Sequence, residues 1–351
     1  MNDDSYKSLR FYTYLLLFIT LAFFILYQAR LLLIPLGFGL VISLILYPIC
    51  QRIERKVGRA MSIFVGEVIL FAFGFILIQI LITSISFLQQ EFTNSREKIF
   101  HQAEGLVQTL GNNFSIDAAQ QKTLLEQLYD NILKQLFPFL KETIFLSAGT
   151  FTMMMIIPVF VGLILLYREL LVKFVLEIVP KNQAEGFKAT FRQIADTYFR
   201  FAKGMALVYL SVATLNSLGF LAIGLPNAVY LGVLASILTF FPYLGIFIGG
   251  MAAIIVAWTT FDSAWYPIGV ALILGFVQYL EANVIFPVLV GKQLSINPLA
   301  TLMAILLGGI IWGGAGMILF VPFVGILKLL ADHIDGLKPL ATLLGSATDG
   351  K

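Results

Sequence analysis

The fold is decided by one long apolar stretch, residues 228–261, which reads AVYLGVLASILTFFPYLGIFIGGMAAIIVAWTTF. It contains 34 residues and no charged side chain. A straight α-helix of this length would run about 50 Å, because each residue adds ~1.5 Å, whereas the hydrocarbon core of a bilayer is only ~30 Å thick. We therefore expect a membrane segment that tilts steeply, bends, or turns back.

The rest of the chain has the same apolar character. Of its 351 residues, 59% are hydrophobic and 12% are charged, and the mean hydropathy is +0.91. A soluble domain carries roughly 25% charged residues, so this composition excludes an ordinary soluble protein. Eight apolar segments are long enough, or nearly so, to span a membrane: 11–27, 31–50, 60–88, 144–167, 204–224, 228–261, 264–290 and 298–331. The sequence predicts an all-α, polytopic integral membrane helical bundle with some broken or re-entrant segments.

The distribution of basic residues predicts the orientation in the membrane. Segment 51–59 has four Lys or Arg against one acidic residue, and 168–203 has seven against four, whereas 88–143 has five against seven. Loops rich in Lys and Arg tend to stay in the cytoplasm. We therefore expect a membrane protein with both termini cytoplasmic. The predicted divisions are N-terminal transmembrane helices at 1–88, an extracytoplasmic helical insert at 89–143, and a transmembrane core at 144–351 with a cytoplasmic helix at 169–203.

The insert at 89–143 has apolar residues at helical spacing on both sides of a turn at 111–113. This pattern predicts a hairpin of two amphipathic helices, the second capped by Ser115 or Asp117. The apolar stripes of these helices either close the hairpin itself or form a gate, a lid or an oligomer contact.

Two segments near the C-terminus contain residues that interrupt helices. In FFPYLG (240–245), proline removes a backbone donor and glycine relaxes the backbone, so Pro242, Tyr243 and Gly245 mark a predicted break. The second segment, 298–331, is again 34 residues long. Its candidate break positions are Gly308, Gly309, Gly313, Gly314 and Pro322. Glycine at this density also permits close helix packing, so both interpretations of this second segment stay open.

Polar side chains stand in the otherwise apolar segment VQYLEANVIFPVLVG (277–291), at Gln278, Glu281 and Asn283. A charged group near the bilayer centre costs at least ~2.5–3.5 kcal/mol, so such residues usually face a cavity or a partner. No Lys or Arg occurs in the surrounding apolar segments from 204 to 290. The carboxyl group is therefore protonated, bound to freed backbone amides, or hydrated, and each state suits a proton or cation pathway.

We expect Glu281 to line a substrate or ion pathway together with Gln278, Asn283 and Pro287. The backbone freed at Pro242–Gly245 is the expected opposing wall, because paired interrupted segments mark binding sites in transporters. The break in 298–331 is expected to meet the first one near Glu281. The alternative is a purely structural carboxylate that ties two broken helices together.

The remaining polar residues give weaker signals. Glu67 follows the basic loop 51–59 and is expected at the membrane interface, paired with Arg59 or a neighbour. Cys50 is the only cysteine, which excludes an intrachain disulfide.

The sequence contains no HExxH zinc motif, no GxSxG elbow and no phosphate-binding P-loop. We therefore expect no catalytic residues, no cofactor, no metal site and no nucleic-acid partner. The expected partners are a small-molecule or ion substrate and the lipid bilayer.

The C-terminal part of the chain resembles a known family. The segments GLPNAVYLGVLASILTFFPYLGIFIGG (224–250) and QYLEANVIFPVLVGKQLSINPLATLMAILLGGIIWGGAGMILFVPFVGILKLL (278–330) resemble the signature of the autoinducer-2 exporter family of permeases. Matching positions are Pro242, Leu244, Gly245, Gln278, Glu281, Asn283, Pro287, Gly291, Pro298, Gly308, Gly309, Gly313, Gly316 and Pro322. The segment LLLIPLGFGLVISLILYPICQRIERKVGRAMSIFV (31–65) is similar to the first long span of the family. FAKGMALVY (201–209) departs from the arginine-glycine-glutamine run of many relatives.

The resemblance implies a homo-oligomeric transporter of small molecules, either a secondary transporter or a facilitator. Members of the family are linked to export of the quorum signal autoinducer-2, and others to exchange of sodium or lithium for protons. A non-transporting membrane scaffold that recruits envelope partners through 89–143 is the alternative from another functional class.

Overall fold

The computed structural model describes residues 3–100, 118–136, 138, 148–178, 184–239, 244–291 and 296–345. The α-helices of this part are α1 (Asp3–Gln28), α2 (Arg30–Val57), α3 (Arg59–Asn94), α4 (Ala118–Asn131), α5 (Ala148–Leu166), α6 (Arg168–Ile178), α7 (Ala184–Ile223), α8 (Ala228–Leu238), α9 (Leu244–Thr260), α10 (Trp265–Leu280), α11 (Phe286–Leu289), α12 (Pro298–Trp312), α13 (Gly314–Ala331) and α14 (Lys338–Leu344). Short π-helical turns cover Ile132–Leu136 and Glu281–Ile285, and a 3₁₀ turn covers Asp335–Leu337.

Five helices within the described ranges are long and apolar enough to cross a membrane. They are Arg30–Val57, Arg59–Asn94, Ala189–Ile223, Trp265–Leu289 and Gly314–Ala331. A sixth candidate is the pair Met155–Leu166 and Arg168–Glu177, which is bent by 65°. The prediction of an all-α polytopic membrane bundle is confirmed.

Both stretches of 34 residues are divided into shorter helices. The stretch 228–261 forms α8 and α9, and residues 240–243 between them lie outside the described part. The stretch 298–331 forms α12 and α13, which meet at Gly313. Gly313 has a φ of 63°, in the left-handed region that glycine adopts without a steric cost. Trp312 meets Phe320 edge to face, with ring centroids 5.3 Å apart, so the second stretch folds back as a helical hairpin.

Two helices are longer than the hydropathy pattern predicts. Helix α3 continues six residues beyond the apolar segment 60–88, because the sequence QQEFTN contains neither glycine nor proline to stop it. The segment 169–203, for which the sequence predicts a cytoplasmic helix, is divided between two helices. Helix α6 ends at Ile178, and α7 then runs without interruption from Ala184 through the apolar segment that begins at 204.

One compact unit comprises Met1–Ile69, Gly149–Ala202 and Lys292–Lys351. Its apolar cluster contains Ile194 and Tyr198 of α7 and Leu329 of α13, against which Val41 and Leu44 of α2 pack. The Tyr198 hydroxyl donates to the carbonyl oxygen of Pro322, since a buried phenol needs a hydrogen-bond partner. Within the same unit, the Asn297 side chain caps α12 by accepting from the Ala300 amide at 2.7 Å.

The other compact unit comprises Leu70–Ala148 and Lys203–Gly291. Its apolar cluster is contributed by α3, α4, α7, α8, α9 and α10. Fully buried members include Phe220, Leu231, Leu234, Val256 and Val270. This unit contains Glu281 and therefore positions the candidate site.

Within the described residues, α4 of the insert packs against the end of α3, and the predicted hairpin turn at 111–113 lies outside the described residues. Tyr129 of α4 stacks on Phe92 of α3 with ring centroids 4.9 Å apart, and its hydroxyl donates to the Phe92 carbonyl oxygen at 3.1 Å. Phe100 meets the same ring edge to face at 5.4 Å. The apolar faces of the two helices therefore pack on each other. The proposed caps, Ser115 and Asp117, lie outside the described residues.

Candidate transport pathway around Glu281

Glu281 begins a π-helical turn that covers Glu281–Ile285 and leads into α11. Pro287 has no backbone N–H, and in a regular helix its ring would clash with the carbonyl of Asn283. A wider π-helical turn immediately before proline relieves this clash. Such turns are rare and are often found at functional sites.

The structure brings one of the predicted polar neighbours to the carboxyl group. Gln278 Nε2 donates to Glu281 Oε2 at 3.2 Å, and both side chains are half-buried. Asn283 is exposed, and its Nδ2 donates to the carbonyl oxygen of Tyr279 at 2.9 Å. The Asn283 side chain thus bonds to its own helix, and its place in the pathway beside Glu281 stays a prediction.

Glu281 lies on the packed face of α10. Val270 and Val277 are buried, with exposures of 0% and 4%, and Glu281 follows Val277 by four residues, about one helical turn. Leu272, Phe276 and Tyr279 form the exposed face, as is usual for side chains in contact with lipid. The carboxyl group is thus directed toward the protein.

Helix α7 packs against this face in an antiparallel direction. A Cβ built on Gly219 would lie 2.6 Å from Ile273 Cγ2, and one built on Gly204 would lie 2.6 Å from the Leu289 carbonyl oxygen. Between these contacts, Tyr209 lies within electrostatic range of Glu281. The two helices therefore form a seam, defined here by Gly204–Gly219 of α7 and Ile273–Leu289, with Glu281 and Tyr209 inside it.

The sequence analysis missed two residues of this seam, Gly204 and Tyr209. Both belong to FAKGMALVY, the segment that departs from the family pattern. The available signal was a glycine inside a helical pattern, which often marks a close approach of backbones.

The segment that forms the seam, residues 204–291, supplies no positively charged side chain. Residues 204–291 include no Lys or Arg and two acidic residues, Asp262 and Glu281. Asp262 is exposed and pairs with Lys98 at 3.5 Å. A carboxylate, a primary amide and a phenol offer oxygen atoms that bind a proton, a water molecule or a hard cation.

The sequence predicts that Pro242, Tyr243 and Gly245 form the wall opposite Glu281. Pro242 and Tyr243 lie outside the described residues, and Gly245 lies in the first turn of α9. Their proposed place opposite Glu281 stays a prediction.

The predicted helix break in 298–331 involves fewer residues than expected. Gly308 and Gly309 lie inside α12, and Pro322 lies inside α13, so these three are not break positions. The interruption is confined to Gly313, directly before Gly314. At Gly308 and Gly316 a Cβ on either residue would overlap the backbone of the other, which is close packing of two helices. The predicted meeting of this break with Glu281 stays a prediction.

A second intramembrane carboxyl group, Glu67, lies in α3. Its Oε1 is buried without a hydrogen-bond partner, and a Cβ built on Gly162 of α5 would lie 2.8 Å from it. The expected pairing with Arg59 is wrong, because Arg59 Nη2 pairs with Glu169 Oε1 at 3.1 Å.

The described residues contain no group of three or more His, Cys, Asp or Glu side chains that could hold a metal ion.

Comparison with known proteins identifies the family. The model of the AI-2E family transporter matches residues 14–336. The chain is 31% identical over 165 residues to Bacillus subtilis "Putative transport protein YrrI", covering 47% of this chain and 46% of that protein. It is 33% identical over 153 residues to B. subtilis "Putative transport protein YueF", covering 43% and 41%. A third relative, Mycobacterium tuberculosis "Putative transport protein MT0215", is 28% identical over 177 residues, covering 50% and 48%.

The chain spans just under half the length of each of these relatives. The family model, in contrast, covers nearly the whole chain, including α2, the seam and the α12–α13 hairpin. The chain therefore belongs to the AI-2E transporter family and is a multi-pass membrane protein.

Proposed function

We propose that this protein is a secondary membrane transporter that couples the movement of a small solute to a proton or small cation bound at Glu281. The observation that carries this proposal is the position of Glu281. It lies on the packed face of α10, at a π-helical turn, in a segment that supplies no Lys or Arg to neutralise it. Carboxyl groups held in this way within membrane segments are typical of ion and proton pathways.

The neighbours of Glu281 suit a group that alternates between two states. An ionised carboxylate accepts a hydrogen bond from Gln278, and a protonated one donates to an acceptor. Ionisation in a dry seam is costly, whereas hydration lowers this cost. Opening of the seam to water would therefore release the bound proton or cation, and closure would require it to be bound, which links ion binding to conformation.

Two transported species fit this coupling. The first is autoinducer-2, which the family resemblance implies, exported at the expense of proton entry. The second is sodium or lithium exchanged for protons. The chemistry of the seam favours the second, because hard cations prefer oxygen ligands and no basic side chain of 204–291 would repel them.

The competing proposal is a membrane scaffold that recruits envelope partners through the insert. It predicts that neutralisation of Glu281 has no effect on function. We do not propose an enzymatic activity, since the sequence contains no HExxH, GxSxG or P-loop motif.

We further propose that the protein lies in the bacterial inner membrane as a homo-oligomer with both termini cytoplasmic. The basic loops at 51–59 and 168–203 support this orientation, and the exposed apolar helix faces offer contact surfaces. Cysteine introduced at position 117 of a Cys50-free variant should react with an impermeant reagent applied from outside. Reaction only after permeabilisation would contradict this orientation, and a monodisperse monomer in lipid nanodiscs would contradict the oligomer.

The decisive experiment is transport by the purified full-length protein in proteoliposomes. Autoinducer-2, sodium and lithium are offered in turn, with and without an imposed pH gradient. Glu281→Gln keeps the size and the hydrogen bonds of the side chain but cannot titrate, and we expect an about tenfold or larger loss of gradient-dependent flux. Asp262→Asn is the matched control, because it neutralises an exposed carboxylate and should leave flux unchanged. Unchanged flux with an unchanged pH profile in Glu281→Gln would refute the proposal.

A further inference from the structure

Asn216 of α7 carries a buried acceptor for which the described residues provide no hydrogen-bond donor. The side chain is 3% exposed, and its Oδ1 has no hydrogen-bond partner. A buried oxygen without a partner costs free energy, and native proteins contain few of them. Each one therefore needs an explanation, and a bound water molecule or ion is one such explanation.

The neighbouring polar residues of α7 are all satisfied. Ser217 Oγ donates to the Val229 carbonyl oxygen at 3.4 Å, Thr214 Oγ1 to Leu210 at 2.7 Å, and Ser211 Oγ to Leu207 at 2.8 Å. Asn216 is the exception among them. The missing hydrogen bond is therefore specific to Asn216 and is not shared by the polar residues next to it on α7.

Asn216 lies on the face of α7 that forms the seam with α10. It precedes Gly219, which contacts Ile273, by three residues, and it follows Tyr209 by seven, so all three share one helical face. Two turns of helix separate Asn216 from Tyr209, about 10 Å along the axis. Asn216 thus lies farther along the same seam than Tyr209, toward Gly219.

We propose that Asn216 is a second binding station for the small cation that Glu281 carries, with the amide Oδ1 as an oxygen ligand to the cation or to its hydration water. This inference rests on the proposed function and specifies its substrate class. An amide oxygen attracts positive charge and hydrogen-bond donors, and residues 204–291 contain no Lys or Arg that would satisfy it instead. An anionic substrate would find no basic ligand in this segment.

The test compares Asn216→Leu, Asn216→Asp and the control Thr214→Val, whose side chain is exposed on the same helix. All are full-length proteins in lipid nanodiscs for melting and in proteoliposomes for flux. Sodium and lithium are the probes, choline at equal ionic strength is the blank, and an imposed pH gradient without alkali cations tests the proton.

We expect Asn216→Leu to melt at the same temperature as the wild type or higher, because it removes an unsatisfied buried acceptor. Its cation-dependent flux should nevertheless fall about fivefold or more, and its stabilisation by the probe ion should disappear. Asn216→Asp retains an oxygen ligand and should keep binding the ion, and Thr214→Val should behave as the wild type. The ion that raises the wild-type melting temperature, or the pH gradient that drives flux, identifies the species.

Wild-type flux in Asn216→Leu would overturn the inference and leave Asn216 as a packing residue. A variant that fails to fold would overturn it too, because Asn216 would then hold the structure together. Absence of any ion effect on wild-type melting and flux would refute both proposals. If Asn216→Leu is impaired while Glu281→Gln transports normally, the proposed function fails and the station at Asn216 stands.

Discussion

The eight apolar segments of the sequence contain two carboxyl groups, Glu67 and Glu281, and their surroundings differ. Glu67 in α3 lies near an ionic cluster in which Arg168 pairs with Glu54 at 2.7 Å and Arg59 pairs with Glu169. Glu281 lies in a seam whose segment has no basic residue. The first carboxyl group is in a region held together by charge pairs, whereas the second is in a region held together by apolar packing and glycine contacts.

The ion pairs lie near Glu67 but do not include it, and the segment around Glu281 supplies no basic residue. A carboxyl group in a seam without basic residues needs a proton, a cation or water to be tolerated there. We therefore propose a transport role for Glu281 and a structural role for the region of Glu67.

The largest expected difference is in transport. Glu281→Gln should lower gradient-dependent flux about tenfold or more, whereas Glu67→Gln should change it less than about twofold, since only the first removes a coupling group. Both variants are measured in proteoliposomes at equal protein density. Equal losses in the two variants would remove the distinction.

The next difference concerns how tightly each region is packed. Gly204→Ala should destabilise the protein by about 1–3 kcal/mol, because its Cβ would meet the Leu289 carbonyl oxygen, a backbone atom that cannot move freely. Gly162→Ala should be close to neutral, because its Cβ would meet the end of the flexible Glu67 side chain. Thermal unfolding in one detergent measures both, and a larger loss for Gly162→Ala would reverse the comparison.

The ion pairs near Glu67 provide a smaller effect. Arg168→Gln leaves Glu54, whose side chain is 25% exposed, without its partner, and should cost about 1–2 kcal/mol. Arg59→Gln should cost about 0–1 kcal/mol, because Glu169 is largely exposed. Chemical unfolding of the two single variants tests the order, and a double-mutant cycle of Arg168 with Glu54 isolates the pair.

The smallest effect is expected outside the membrane, where Asp130 and Lys134 of the insert form an exposed pair. The hydrogen bond and charge of Lys134 lower the pKa of Asp130. Stability from this pair is therefore present above the pKa of Asp in the unfolded chain, about 3.9, and is lost as the pH falls through the lower folded pKa. Lys134→Gln should shift the melting temperature slightly at pH 7 and not at pH 2. A shift that is larger at pH 2 would show that the side chain acts by packing.

Several features follow from the sequence alone. Composition and the lengths of the apolar segments determine that the chain is a helical membrane protein, because hydrophobic length is set by the bilayer and not by tertiary contacts. The same length argument requires that 298–331 cannot be a single straight span, and it folds back at Gly313. Glu281 and Gln278 are recognisable as candidates because polar groups are rare in such segments.

Other features were decided only by tertiary structure. Hydropathy does not reveal that Asn283 bonds to its own helix, that Arg59 pairs with Glu169 instead of Glu67, or that α7 runs unbroken from Ala184. Nor does it reveal Tyr209 and Asn216, because a tyrosine and an asparagine in an apolar helix become candidates only when the opposing helix is known. The physical reason is that segment polarity is local, whereas the partner of a buried polar group is chosen by the packing of residues distant in the chain.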